Sequence, residues 1–155
     1  MQKRNHLLKI WLLLLLSAYA GYASNNYIFD TNILCTARIS ELSFPKKDGT
    51  PAHVSGFIDL DMRNETIHFF LQSKTGDFIN RVLQFESSHG VNGEIASAVI
   101  TQKTISRSEY GTLGDEYHLF EVGTKHFVNL LPITKHVTQV NFGPINFFCE
   151  NQERL

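Results

Sequence analysis

The chain has 155 residues, 43% of them hydrophobic, with 14 basic and 15 acidic side chains and a formal net charge of −1. That apolar fraction supports a folded core and excludes a chain kept open by charge. The balanced charge offers no basic field, so no nucleic-acid partner is expected.

The first element is an apolar run. Lys3, Arg4 and Lys9 precede an uncharged stretch from Ile10 to Ala23, and no acidic residue occurs before Asp30. A basic start, an apolar middle and small residues at the end form the pattern of an export signal, with Ala18-Tyr19-Ala20 or Gly21-Tyr22-Ala23 as cleavage sites. Retention as an anchor is the alternative. A spanning helix needs roughly 17–25 mostly apolar residues, and residues 7–23 reach that length if Lys9 snorkels to the headgroups. Tyr19 and Tyr22 would then mark the far interface. No cysteine lies near the end of the run, which argues against a lipoprotein anchor. Both readings keep the basic end in the cytoplasm and export the rest. The expected division is a signal anchor or transmembrane helix over residues 1–24 and one β domain over residues 25–155. Without its three early basic residues the exported part holds 11 basic against 15 acidic side chains, a charge of −4.

From there the apolar residues recur with period 2. "HVSGFIDLDM" puts Val54, Gly56, Ile58, Leu60 and Met62 on one face. "ETIHFFLQS" continues with Ile67, Phe69 and Leu71, after a hairpin turn at "RNET". "DFINRVLQFES" aligns Ile79, Leu83 and Phe85, with Arg81 as the exception. "EIASAVITQKTI" aligns Ile95, Val99 and Ile105. "EYHLFEVG", "HFVNLLPI" and "VTQVNFGPINFFC" continue the alternation, and turn-forming clusters such as "KKDGTP", "KTGD" and "SSHGVNG" separate the runs. The fold class predicted is all-β: one antiparallel meander of about seven or eight strands. A small barrel is preferred over a sandwich, because closure removes exposed edges.

The two cysteines sit at opposite ends of this meander, Cys35 in the first strand and Cys149 in the last. Closure makes those strands neighbours, and an exported pair of thiols usually bridges. The alternative is two buried free thiols. A bridge would close a loop of 114 residue steps, worth roughly 4–5 kcal/mol in the chain-entropy account.

"YIFDTNILCTARI" and "GPINFFCEN", together with the basic start and single apolar run, resemble the FidL-like membrane proteins of enterobacteria. The likeness spans the whole length in organisation, and its specific part is the two cysteine-bearing ends. Proteins of this kind are single-span inner-membrane proteins encoded beside membrane-spanning transcriptional regulators similar to ToxR. The resemblance, with the analogy to ToxS and VtrC, implies a bacterial inner-membrane protein with its C-terminal domain in the periplasm. That domain would be a lipocalin-like barrel that docks on the periplasmic domain of a membrane-spanning transcriptional regulator. It implies further a small apolar ligand, such as a bile salt or lipid-like molecule, as an alternative role. The Gly-x-Trp signature of lipocalins is absent, since the one tryptophan is Trp11 in the apolar run.

Other motifs carry less. Ser43-Phe44-Pro45-Lys46 matches S-x-x-K and Lys74-Thr75-Gly76 matches K-T-G, as in serine β-lactamases. That chemistry needs the serine at a helix start with the lysine one turn on, and Pro45 stands in the way. No S-D-N element lies between the motifs, so no catalytic residue and no enzyme activity are expected. His118 and His126 would meet if "EYHLF" and "KHFVN" paired as a hairpin, but a lone pair is more often surface than metal site. No metal or cofactor is expected. Asp59 and Asp61 share a strand face and could pair for acid–base work, although a polar outer face explains them. Phe69-Phe70 and Phe147-Phe148 each send one ring inward and one outward, where it needs cover or a partner.

Overall fold

The computed structural model describes residues 11, 13–17, 33–89 and 95–152. Residues 11 and 13–17 are helical, and among the described residues no helix is long and apolar enough to cross a membrane. The span expected over residues 7–23 lies mostly outside the described residues.

The domain is an eight-stranded closed antiparallel barrel, β1 (Leu34–Pro45), β2 (Pro51–Asp61), β3 (Thr66–Ser73), β4 (Phe78–His89), β5 (Ile95–Ile105), β6 (Lys125–Pro132), β7 (Val137–Phe142) and β8 (Ile145–Asn151). Each strand pairs with the next, and β8 returns to β1. The expected meander and the preference for closure both hold. The alternating runs of β2 and β3 lie as read, with Val54, Ile58, Leu60, Met62, Ile67, Phe69 and Leu71 all buried. Their hairpin is fastened by Asp61, whose Oδ1 accepts from the backbone N–H groups of Arg63 (3.0 Å) and Asn64 (3.1 Å).

Bulges in β1 and β5 break the simple alternation. In β1, Ile39 faces Gly56 and Leu42 faces Val54, so Ser40 and Glu41 oppose the single residue Ser55. The extra residue flips the inward set from Cys35, Ala37 and Ile39 to Phe44. In β5, Gln84 pairs with Gln102 but Phe85 with Ile100, leaving Thr101 unpaired. The interior receives Ala98 and Ile100 in place of the expected Val99, which is half-buried; Ile105, paired with Arg81 at the end of β5, is exposed. Period-2 reading assumes one residue per rung, and each bulge violates that assumption.

"EYHLFEVG" is not a strand. The long connection from β5 to β6 holds two 3-10 turns, Leu113–Glu116 and His118–Phe120. Their apolar residues Leu113, Tyr117, Leu119 and Phe120 are buried. In a 3-10 turn residues three apart lie on one side, which brings Tyr117 and Phe120 together, ring centroids 5.7 Å apart.

Two short seams complete the barrel. β5 meets β6 over Ser97 to Val99, and β8 meets β1 over Cys35 and Thr36 only. At the second seam Cys35 and Cys149 form a disulfide, with their Cα atoms 5.4 Å apart. Cys35 pairs in register with Asn151, so the bridge runs diagonally across the two strands on their buried side.

Candidate functional site

The barrel interior is filled by the protein itself. Phe44 from β1 and Phe69 from β3 form a wall, and the 3-10 strap inserts Tyr117 and Phe120 against them. Centroid distances are 4.7 Å for Phe44–Tyr117, 5.9 Å for Phe44–Phe120 and 5.1 Å for Phe69–Phe120. These tilted, stacked and edge-to-face contacts add about 0.5–1.5 kcal/mol each beyond the area they bury.

Arg81 holds the strap in place. It occupies an inward position of β4, between Ile79 and Leu83, and is 1% exposed. A lone guanidinium there would be prohibitively costly. Its donors are met instead by residues of the β5–β6 connection. Nε donates to both oxygens of Glu109 at 2.9 Å, and Nη1 to the Gly114 carbonyl at 2.7 Å. Nη2 donates to Glu109 and, at 2.8 Å, to Asp115 Oδ1. The Cζ atom lies 5.3 Å from the Phe120 ring centroid, within cation–π range. Gly114 is required by this approach: a Cβ there would stand 2.5 Å from the guanidinium.

Burial works against the Arg81 charge, but the hydrogen bonds Arg81 donates to Glu109 and Asp115 outweigh it, and its pKa is raised. The hydrogen bond from Arg81 holds the Asp115 carboxyl below the usual carboxylate range. The two acids differ in setting: the Glu109 side chain is 9% exposed and that of Asp115 is 70% exposed. Glu109 is thus the buried partner of Arg81, and Asp115 the exposed one. The sequence marked Arg81 as out of place, but Glu109 and Asp115 lie 28 and 34 residues away in a loop and gave no signal.

Two polar atoms in the interior lack a hydrogen-bond partner among the described residues, Tyr117 Oη and His126 Nε2. Burial pushes the Tyr117 phenol up and the His126 imidazole down. His126 sits in β6 with its ring 5.6 Å from that of Phe142. His118 does not pair with it, contrary to the hairpin reading. It is exposed in the second 3-10 turn and bonds Glu121 Oε2 through Nδ1 at 2.9 Å.

Ser43 lies within β1 and not at a helix start, while Lys74 opens the β3–β4 turn and reaches Glu41 Oε1 at 3.0 Å. The serine–lysine arrangement of a β-lactamase is therefore not built. Asp59 accepts from the Thr36 hydroxyl at 2.7 Å, and Asp61 fastens its turn, so the two carboxylates serve separate contacts. Among the described residues no group of three or more His, Cys, Asp or Glu side chains converges on a metal position. A polar surface cleft of about 110 Å³ lies over the β1 bulge, between Glu41, His53, Gln72 and Lys74.

The chemistry of this interior is that of a latch: a guanidinium engaged through all three nitrogens fastening a strap over an aromatic wall. Compared with known protein families, curated proteins and solved structures, the chain matches none.

Proposed function

We propose that the protein is a non-enzymatic accessory subunit of a membrane-spanning transcriptional regulator similar to ToxR, anchored in the bacterial inner membrane by residues 7–23. The single observation that carries this reading is that the barrel is occupied by its own strap. A barrel filled by Phe44, Phe69, Tyr117 and Phe120 acts through its outside, as an interaction protein does. The resemblance of the two cysteine-bearing ends to FidL-like proteins supports the same role. A tethered domain raises the effective concentration of its surface beside the regulator, and binding to the folded form protects it from unfolding.

The test is co-purification with the regulator encoded beside it, together with the regulator's steady-state level after deletion of this gene. Association at micromolar concentration and a fall in that level are expected. Absence of both refutes the reading.

A second reading is a periplasmic barrel for a small apolar ligand. It is favoured by the unpartnered Tyr117 Oη and His126 Nε2 in a mainly apolar interior, since ligand sites combine apolar walls with a few polar groups. A ligand would have to displace the strap. Loss of protection of the strap amides from hydrogen exchange on adding a bile salt would support it.

A further inference from the structure

The exposed rings of the barrel fall into two sets. Phe57 and Phe70 pair across β2 and β3 and are 40% and 42% exposed. Arg38 lies over the Phe57 ring at 5.7 Å, and Phe78 meets Phe70 at 4.6 Å. Phe127 on β6 and Phe148 on β8 are 66% and 61% exposed. Among the described residues neither has a ring or cation contact.

Register fixes what lies between them. Asn129, Asn141 and Asn146 form one row across β6, β7 and β8. Gln139 lies beside Phe148 in the next row and donates to Asn146 Oδ1 at 3.3 Å. Phe127 and Phe148 stand at opposite corners of this row, roughly 16 Å apart by strand spacing and rise. No charged residue occupies an outward position of these strands between Lys125 and Glu150.

We propose that the outer face of β6–β8 is a binding platform for a neutral carbohydrate chain, with Phe127 and Phe148 as stacking rings and the amides between them as readers of hydroxyl groups. A sugar ring has an apolar C–H face and an edge of hydroxyls. The face lies on an aromatic ring through weak C–H contacts. Each hydroxyl both donates and accepts, and so does each Asn or Gln side chain. The Asn129 and Asn141 amides make no hydrogen bond among the described residues, so they are available. An anionic glycan or an acidic peptide would require basic side chains, and none stands between Phe127 and Phe148 on this face; Lys125 lies at its margin.

Size decides against a folded partner here. Three strands by five residues give a platform of about 250 Å², whereas a stable protein interface covers about 800 Å² on each side. A short run of linked sugar rings fits the smaller area and the diagonal between the two phenylalanines.

The experiment is titration of the full-length chain with chitotetraose, cellotetraose and maltotetraose at up to millimolar concentration, read by the side-chain amide resonances of Asn129, Asn141 and Asn146. At least one sugar should shift these signals saturably. Phe127→Ala and Phe148→Ala should each weaken binding about fivefold or more, in line with the loss of about 1 kcal/mol of ring contact. The thermal midpoint should not change, since both rings are exposed. Three outcomes overturn the proposal. One is no shift with any of the three sugars. Another is binding that is indifferent to both substitutions. The third is a dimer in sedimentation that Phe148→Asp dissolves, which would assign the face to a second copy of the chain.

Discussion

Replacing Arg81 by Met tests whether the strap is latched by charge. Methionine approximates the length of the arginine stem, so packing against Phe120 is largely kept. What is lost is the partner of Glu109, whose side chain is 9% exposed and cannot recover its hydration. Removing one member of a buried ion pair costs about 3–5 kcal/mol. Asp115 adds little, because its side chain is 70% exposed and exposed pairs contribute about 0–1 kcal/mol. A loss of about 4 kcal/mol is expected, a large share of the roughly 5–15 kcal/mol that holds a domain folded. Equilibrium unfolding in urea measures it directly. The control is Arg81→Met combined with Glu109→Met, which removes both charges and should regain most of the loss. The reasoning fails if the single variant lies within about 1 kcal/mol of the parent, or if the double variant is no more stable than the single one.

Reduction of the disulfide, or Cys149→Ser, should lower stability by up to about 4–5 kcal/mol, read as a fall in the thermal midpoint; an unchanged midpoint would show that the seam holds without it. Gly56→Ala should disrupt the β2–β3 ladder, because the backbone is at φ +143° and a Cβ would stand 2.1 Å from the Phe70 carbonyl oxygen; a variant that melts with the parent would contradict this. Burial holds the His126 pKa below its ordinary value, so the unfolded chain takes up the proton first as pH falls below about 6.5. The contribution is complete above that value and is lost as pH falls through the lowered folded pKa. His126→Phe should therefore flatten the decline in stability between neutral and mildly acidic pH, and an unaltered slope would refute the assignment.

The fold was legible wherever one residue filled one rung. Val54 to Leu71 alternate without interruption, and their inward set follows from the sequence directly. The cysteines were legible for a related reason: closure of a meander makes its first and last strands neighbours whatever lies between. The Thr101 bulge was not legible, since nothing in "AVITQK" distinguishes an unpaired threonine from a paired one. The strap misled for another reason. Tyr117 and Leu119 imitate strand alternation, while the pairing of Tyr117 with Phe120 follows a period of three that a segment this short cannot establish. Arg81 was visible as an anomaly, but its acids reach it only through the folded connection.

The diagonal bridge between the first and last strands has a consequence for the order of events in folding. β1 has no neighbour on its open side until β8 exists, so the barrel cannot close before β8 has been made. Until then Cys35 is an unprotected thiol. With two cysteines in the chain, an incorrect pairing within one molecule cannot arise. The error open to it is capture of a second molecule, and the hazard grows with the concentration of half-made chains. Contacts across so long a loop also form slowly. Oxidative maturation should thus divide between monomers closed within the chain and disulfide-linked dimers, in a ratio set by expression rate.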